Sequence, residues 1–264
     1  MLGAICGDFI GSIWEKSNHR PRRPTEVHIP ELMTPYNFFT DDTILTIATA
    51  WACLKGLDFA ETYRSFTLEH GEYVFSSEQY TWAVDESAGP RDSRGNGAAM
   101  RVSPVAYFAR SLKDVRGLAI ASAQATHSHP EAISAAEVIA LSVWKARFGP
   151  ELGRDYSVLG NWEKHMIPPH IVRDKAEHSS RCNDTVPYAL TFALESISFE
   201  DCMRRCIWFG VDTDTIAAMS GGIIGAFHEI PQYITDHVLF ELERQDKLLF
   251  NKFVRCAAAM GIKY

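Results

Sequence analysis

The stretch NFFTDDTILTIATAW, residues 37–51, sets two carboxylates, Asp41 and Asp42, at the entrance of an apolar segment. Beyond them, apolar and small residues fall on every side at helical spacing, so the segment reads as a helix buried nearly all round. Far downstream, FGVDTDTIAAMSGG, residues 209–222, repeats the arrangement with Asp212 and Asp214. Two buried helices with acids and threonines at their mouths frame both the fold and the chemistry.

Working outward, helical spacing dominates. Apolar residues recur at i, i+3 and i+4 over 42–55, 58–70, 77–87, 97–111, 114–126, 130–148, 185–197, 199–209, 213–228 and 237–259. Thr40, Asp58, Pro130 and Ser198 supply start signals. The N-terminal GAICGDFIGSIWE carries Gly3, Gly7 and Gly11 as a stripe of small residues that lets another helix approach closely. No segment alternates with a period of two between turn signals, so strands are not expected. Residues 16–38, rich in proline, and 149–183 read as irregular. The expectation is a compact, single-domain, all-α orthogonal bundle of roughly ten to thirteen helices spanning 1–264.

Composition narrows the function classes. The chain has 264 residues, 46% of them hydrophobic, and a net charge of −7, which is globular and offers no general basic field for nucleic acid. The one dense basic run, HRPRRP at 19–24, is short and broken by proline, and reads as a surface loop. Cys6, Cys53, Cys182, Cys202, Cys206 and Cys256 are scattered without a CxxC pair, as expected of reduced thiols. No apolar run approaches the ~18 residues of a membrane helix, and the N-terminal stretch lacks a basic lead and is interrupted by Asp8. A cytoplasmic protein, monomeric and free of membrane or nucleic-acid partners, is expected.

The ordinary explanation of an acid at a helix mouth is capping, because side-chain oxygens accept from free backbone N–H groups there. Capping needs one acceptor, yet each motif offers two carboxylates and a hydroxyl. Unpaired buried charges cost several kcal/mol each, and neither motif contains Lys or Arg. A metal is the natural counter-charge. The set Thr40, Asp41, Asp42, Asp212, Asp214 and Thr215 is all oxygen, which suits Mg²⁺, Mn²⁺ or Ca²⁺ rather than zinc. Four aspartates neutralise two divalent ions, and a pair of ions ~4 Å apart is the economical arrangement.

The ordered motifs GAICGDFIGSIWE, FTDDT, GNGAAMRVSP, THSHPEA and GVDTDTIAAMSGGIIGA resemble those of the ADP-ribosylglycohydrolase family over residues 3 to about 228. The resemblance implies an all-helical fold with a binuclear Mg²⁺ or Mn²⁺ centre in a central cleft that takes ADP-ribose. It implies the same six metal ligands, and a hydrolase that releases ADP-ribose from modified arginine or serine, or from a small ester, on a protein or other conjugate. Glu15, Asp41 and Asp214 would be catalytic. Asp8 would orient a ligand of the metal centre. Gly95, Asn96 and Gly97 would cradle the phosphates and ribose, since free N–H groups and missing side chains at a helix start suit a pyrophosphate.

His127 would hydrogen-bond substrate, with His129 a loop residue. Arg101 is as suited to a buried structural role as to a phosphate. Phe38, Tyr80, Tyr107 and Trp144 are aromatics at helical spacing, where core packing is the usual fate, so no adenine partner is assigned. Val211 departs from the pattern, which has glycine before the last acidic motif. The alternative from another class is a catalytically weak ADP-ribose-binding protein on the same scaffold.

Overall fold

In the computed structural model, residues 1–15, 31–148, 157, 159–173 and 176–264 are described. The basic run at 19–24 lies outside them. The first half contains α1 (Leu2–Gly11), α2 (Asp41–Lys55), α3 (Phe59–His70), α4 (Ser77–Val84), α5 (Gly97–Met100), α6 (Val105–Phe108), α7 (Leu112–Gln124) and α8 (Pro130–Ala146). The second contains α9 (Pro169–Val172), α10 (Cys182–Glu195), α11 (Phe199–Phe209), α12 (Thr213–Ile224), α13 (Gln232–Gln245) and α14 (Lys247–Met260). Among the described residues the only extended pairings are isolated bridges, Arg91 to His127 and Gly95 to Arg181. The all-α expectation holds.

At the centre, α1 lies along α12, and both are buried along their whole lengths. The reason is the glycine stripe. A Cβ on Gly3 would run into the carbonyl of Gly221, one on Gly7 into that of Ala217, and one on Gly11 would sit 2.5 Å from the Asp214 Cα. The backbones therefore touch, as only glycine permits. Helices α10 and α11 pack on α12, α2 packs on α1 and α14, and α7 pairs with α8.

The capping signals act as read. Thr40 accepts from the Asp42 N–H, Asp58 from Glu61 and Ser198 from Asp201, while Pro130 occupies the first turn of α8. Two expected helices are each broken in two. The segment 97–111 stops at Met100 and resumes at Val105, because Pro104 carries no N–H and disfavours helix at the residue before it. The segment 237–259 breaks at Asp246, which is extended (φ −146°, ψ 91°) and caps α14 by accepting from Leu249. The irregular 149–183 contains a 3₁₀ turn at Gly160–His165 and α9. Among the described residues, no helix is long and apolar enough to cross a membrane, and all six cysteines are free thiols.

Candidate active site

The mouth of α2 is organised from α1. Asp8 is fully buried on α1. Its Oδ2 accepts from the backbone N–H groups of Thr40 (3.1 Å) and Thr43 (3.1 Å) and from the Thr43 hydroxyl, and its Oδ1 accepts from the Thr40 hydroxyl (2.7 Å). Four donors on one carboxylate satisfy the α2 N-terminus and lock Thr40 in place. Asn37 holds the approach, with its amide on the carbonyls of Phe9 (2.7 Å) and Ile10 (3.3 Å) and its carbonyl accepting from Thr34.

Asp42 joins the two mouths, because its Oδ2 accepts from the Thr215 hydroxyl of α12 (3.2 Å) and faces that of Thr40 (3.3 Å). On the other side, Asp212 Oδ2 accepts from the Asn96 amide (2.7 Å). Two further carboxylate oxygens, Asp42 Oδ1 and Asp214 Oδ1, are buried without a hydrogen-bond partner among the described residues. Oxygens of Asp8, Asp42 and Asp214 lie within 4.8 Å of one another, and so do oxygens of Glu15, Asp212 and Asp214. Glu15 reaches this place through a break in helix type: α1 ends at Gly11, and a 3₁₀ turn over Ser12–Trp14 delivers the side chain. Asp41 lines the same cleft and belongs to neither group.

So many buried acids raise one another's proton affinity. Burial, then the Asp8 charge, pushes Asp41 up to about 7. Burial lifts Asp8 to about 6 against its four hydrogen bonds. Asp42 and Asp214 lie well above the usual carboxylate range, from burial and then from neighbouring aspartates. Asp212 is raised by burial, with the Asn96 hydrogen bond pulling the other way. A divalent cation fits this donor set, which has orphaned oxygens, excess negative charge and only hard ligands.

These groups line one cleft of about 930 Å³. Glu15, Thr40, Asp41, Asp42, Asp212, Asp214 and Thr215 form its floor; Gly95, Asn96, Gly97 and His127 stand on its wall. Asp8 lies behind the floor. The Asn96 side chain points to Asp212 and Thr185, its N–H donates to Ser180 (2.8 Å), and the Gly95 N–H faces Ser93 Oγ (3.1 Å). Two N–H groups expected to face a pyrophosphate thus have partners within the chain.

Arg101 is buried, stacked 4.0 Å over the Tyr63 ring and bonded to Ser122 and Thr126. His129 caps α8 through its Nδ1. Of the four aromatics weighed from sequence, Phe38 lines the cleft, joined by Tyr73 and Phe75. Arg91, Arg94 and Arg181 also line it without a signature in the sequence, since a lone arginine carries no periodic or spacing signal. The same holds for Asn37, although it sits inside the quoted stretch.

Comparison with known proteins places the chain by family and fold. ADP-ribosylhydrolase ARH3 of Mus musculus is 25% identical, over 88% of this chain and 83% of that protein. The Homo sapiens protein of the same name is also 25% identical, over 88% and 85%. YegU of Escherichia coli is 28% identical over 62% of this chain and 58% of its own. A solved structure described as an ADP-ribosylglycohydrolase-related protein complex superposes with a TM-score of 0.69 at 24% identity, over 97% of both chains, and shares the fold. The model of the ADP-ribosylglycohydrolase family matches residues 1–258, from the glycine stripe through both acid-mouthed helices, and the chain belongs to that family.

Proposed function

We propose that the protein hydrolyses the glycosidic bond at C1″ of ADP-ribose conjugates, releasing ADP-ribose, with two divalent cations, Mg²⁺ or Mn²⁺, held by Thr40, Asp41, Asp42, Asp212, Asp214 and Thr215. Family membership supports hydrolase activity on such conjugates in general. The observation that carries the finer reading is the pair of buried oxygens on Asp42 and Asp214 that find no partner among the described residues, with Asp214 common to both acidic groups. Bound cations would neutralise these carboxylates, orient the ribose hydroxyls and stabilise charge in an oxocarbenium-like transition state.

The chain's own groups do the rest. Asp8 and Asn96 fix the orientation of the floor, acting through Thr40 and Asp212. Gly95 and Gly97 leave the wall open for the substrate. Glu15, beside Asp212 and Asp214, or Asp41 on the floor, accepts the proton of the water that adds to C1″ as the bond to the acceptor nitrogen or oxygen breaks, and passes it to that departing atom. The free thiols fit a reducing compartment, and the enzyme is proposed to act in the cytoplasm as a monomer.

The test is incubation with arginine- and serine-ADP-ribosylated peptides in Mg²⁺, Mn²⁺ or EDTA, with products identified by mass. EDTA-sensitive release of ADP-ribose is expected and names the linkage. Tight ADP-ribose binding without release from any conjugate would replace the hydrolase with the binding-protein reading.

A further inference from the structure

Running into the cleft wall is a chain of three buried side chains that the acidic floor does not use. Arg101, Thr126 and His127 are exposed by only 1%, 0% and 4%. The Arg101 Nη2 donates to the Ser122 carbonyl (3.0 Å) and the Thr126 hydroxyl oxygen (2.6 Å), while its guanidinium stacks on Tyr63. The Thr126 Oγ1 also lies 2.7 Å from His127 Nδ1. Beyond the imidazole, Nε2 would lie 3.8 Å from a Cβ on Gly95 and 3.8 Å from one on Gly97. Because neither residue has a side chain, this edge of the ring opens on the cleft.

Arginine is a donor only, so Thr126 Oγ1 accepts from Arg101. Among the described residues, the one remaining partner for the hydroxyl hydrogen is His127 Nδ1. If Nδ1 carried the proton instead, that hydroxyl hydrogen would be buried and unpaired, at about 1–3 kcal/mol. The hydrogen bonds therefore favour Nδ1 as acceptor and the ring proton on Nε2. We propose that Arg101 and Thr126 are positioning residues that hold His127 as its Nε2–H tautomer, giving the wall between Gly95 and Gly97 a neutral donor for an anionic ligand oxygen.

Neutrality follows from the surroundings. Burial, then Arg101 and Arg91, pushes the imidazole down to about 3, so it stays uncharged through the physiological range. With Arg91, Arg94 and Arg181 lining the same cleft, the chemistry that fits is a phosphate oxygen, taken here as the diphosphate of ADP-ribose. The choice of ligand, though not the tautomer, rests on the functional reading above.

The experiment is nitrogen-15 NMR on histidine-labelled protein at neutral pH without ligand, with the His127 signals assigned by their loss in His127→Gln. Wild type and Thr126→Ser are expected to show a protonated Nε2 and a bare Nδ1. In Thr126→Val the Nδ1–H form should grow and ADP-ribose should bind roughly tenfold more weakly, with affinity restored in Thr126→Ser. A wild-type proton on Nδ1, or Thr126→Val with unchanged tautomer and affinity, overturns the proposal. Failure of wild type to bind ADP-ribose would sink the ligand assignment, while the ligand-free tautomer would still decide the relay. Should Thr126→Val not fold, the wild-type tautomer decides alone.

Discussion

The mouths of α2 and α12 are spelled with the same letters, TDDT and DTDT, but they are held by different means. At α2 the cap is local, with Thr40 extended and accepting from Asp42, and the mouth is clamped from behind by the four hydrogen bonds to Asp8. At α12 the capping residue Asp212 makes no side-chain capping bond. Its carboxylate is turned to Asn96, and the chain enters through two left-handed residues, Gly210 (φ 77°) and Val211 (φ 70°). One mouth is built as a rigid helix start and the other as a bent loop. Similar motifs therefore do not imply duplicated structure. Each is positioned by what α1 and the loop before α5 offer it.

The sharpest way to separate the mouths is by their acids. Asp214 belongs to both carboxylate groups and Asp42 to one. Asp214→Asn should lower turnover of an ADP-ribosyl peptide by more than about a hundredfold, beyond what loss of an outer partner of a metal ligand costs. Asp42→Asn should fall short of that loss. Equal activity of Asp214→Asn and wild type would remove Asp214 from the centre.

Next comes the scaffold that brings the mouths together. Gly7→Ala drives a methyl into the Ala217 carbonyl, so α1 and α12 must part. Overpacking of this kind costs about 1–3 kcal/mol and occasionally more, and the upper end is expected because backbone, rather than a side chain, must move. Urea unfolding measures it. A variant as stable as wild type would mean that the contact of α1 with α12 is looser than drawn.

Charge offers a third test. The acids here have folded pKa values above their unfolded ones: about 6 for Asp8 and about 7 for Asp41 against an ordinary 3.8. Between the unfolded and folded values the native state binds more protons, so its stability falls as pH rises through roughly 4 to 7. In EDTA, the melting temperature should drop by several degrees between pH 5 and pH 8. Mg²⁺ or Mn²⁺ should restore more of it at pH 8 than at pH 5, since proton and cation compete for the same oxygens. A melting temperature flat in pH with EDTA, unmoved by either ion, would leave the floor without its cations.

Much of this was legible in the sequence, and what escaped has a common cause. The glycine stripe, the burial of α1, α2 and α12 and the caps at Thr40, Asp58 and Ser198 are periodic or positional signals, set by neighbours along the chain. Asp8 drew notice through its motif, but its four bonds to Thr40 and Thr43 span more than thirty positions, and no spacing rule predicts them. Asn37, Thr126 and Arg91 carry no signal for the same reason: the bonds of Asn37 to Phe9 and Ile10, of Thr126 to Arg101 and of Arg91 to Gln79 each join residues far apart in the chain. The breaks at Pro104 and Asp246 were legible and overridden, because apolar spacing continues on both sides of a residue whose chemistry ends the helix.

Val211 provides the smallest and most discriminating contrast. It is a buried, β-branched residue at φ 70°, a conformation that costs a non-glycine residue about 1–3 kcal/mol. Its burial is worth about 1.5–3 kcal/mol. In Val211→Gly these two effects nearly cancel, and the net change should stay within about 1 kcal/mol. In Val211→Ala the packing is lost while a Cβ remains at positive φ, so the cost should be larger. That reverses the usual order, in which Gly is the worse residue by roughly 0.5–1 kcal/mol. Denaturant midpoints of the two variants decide the matter. If alanine proves more stable than glycine at 211, the bend is not strained and the difference between the mouths reduces to their hydrogen bonds.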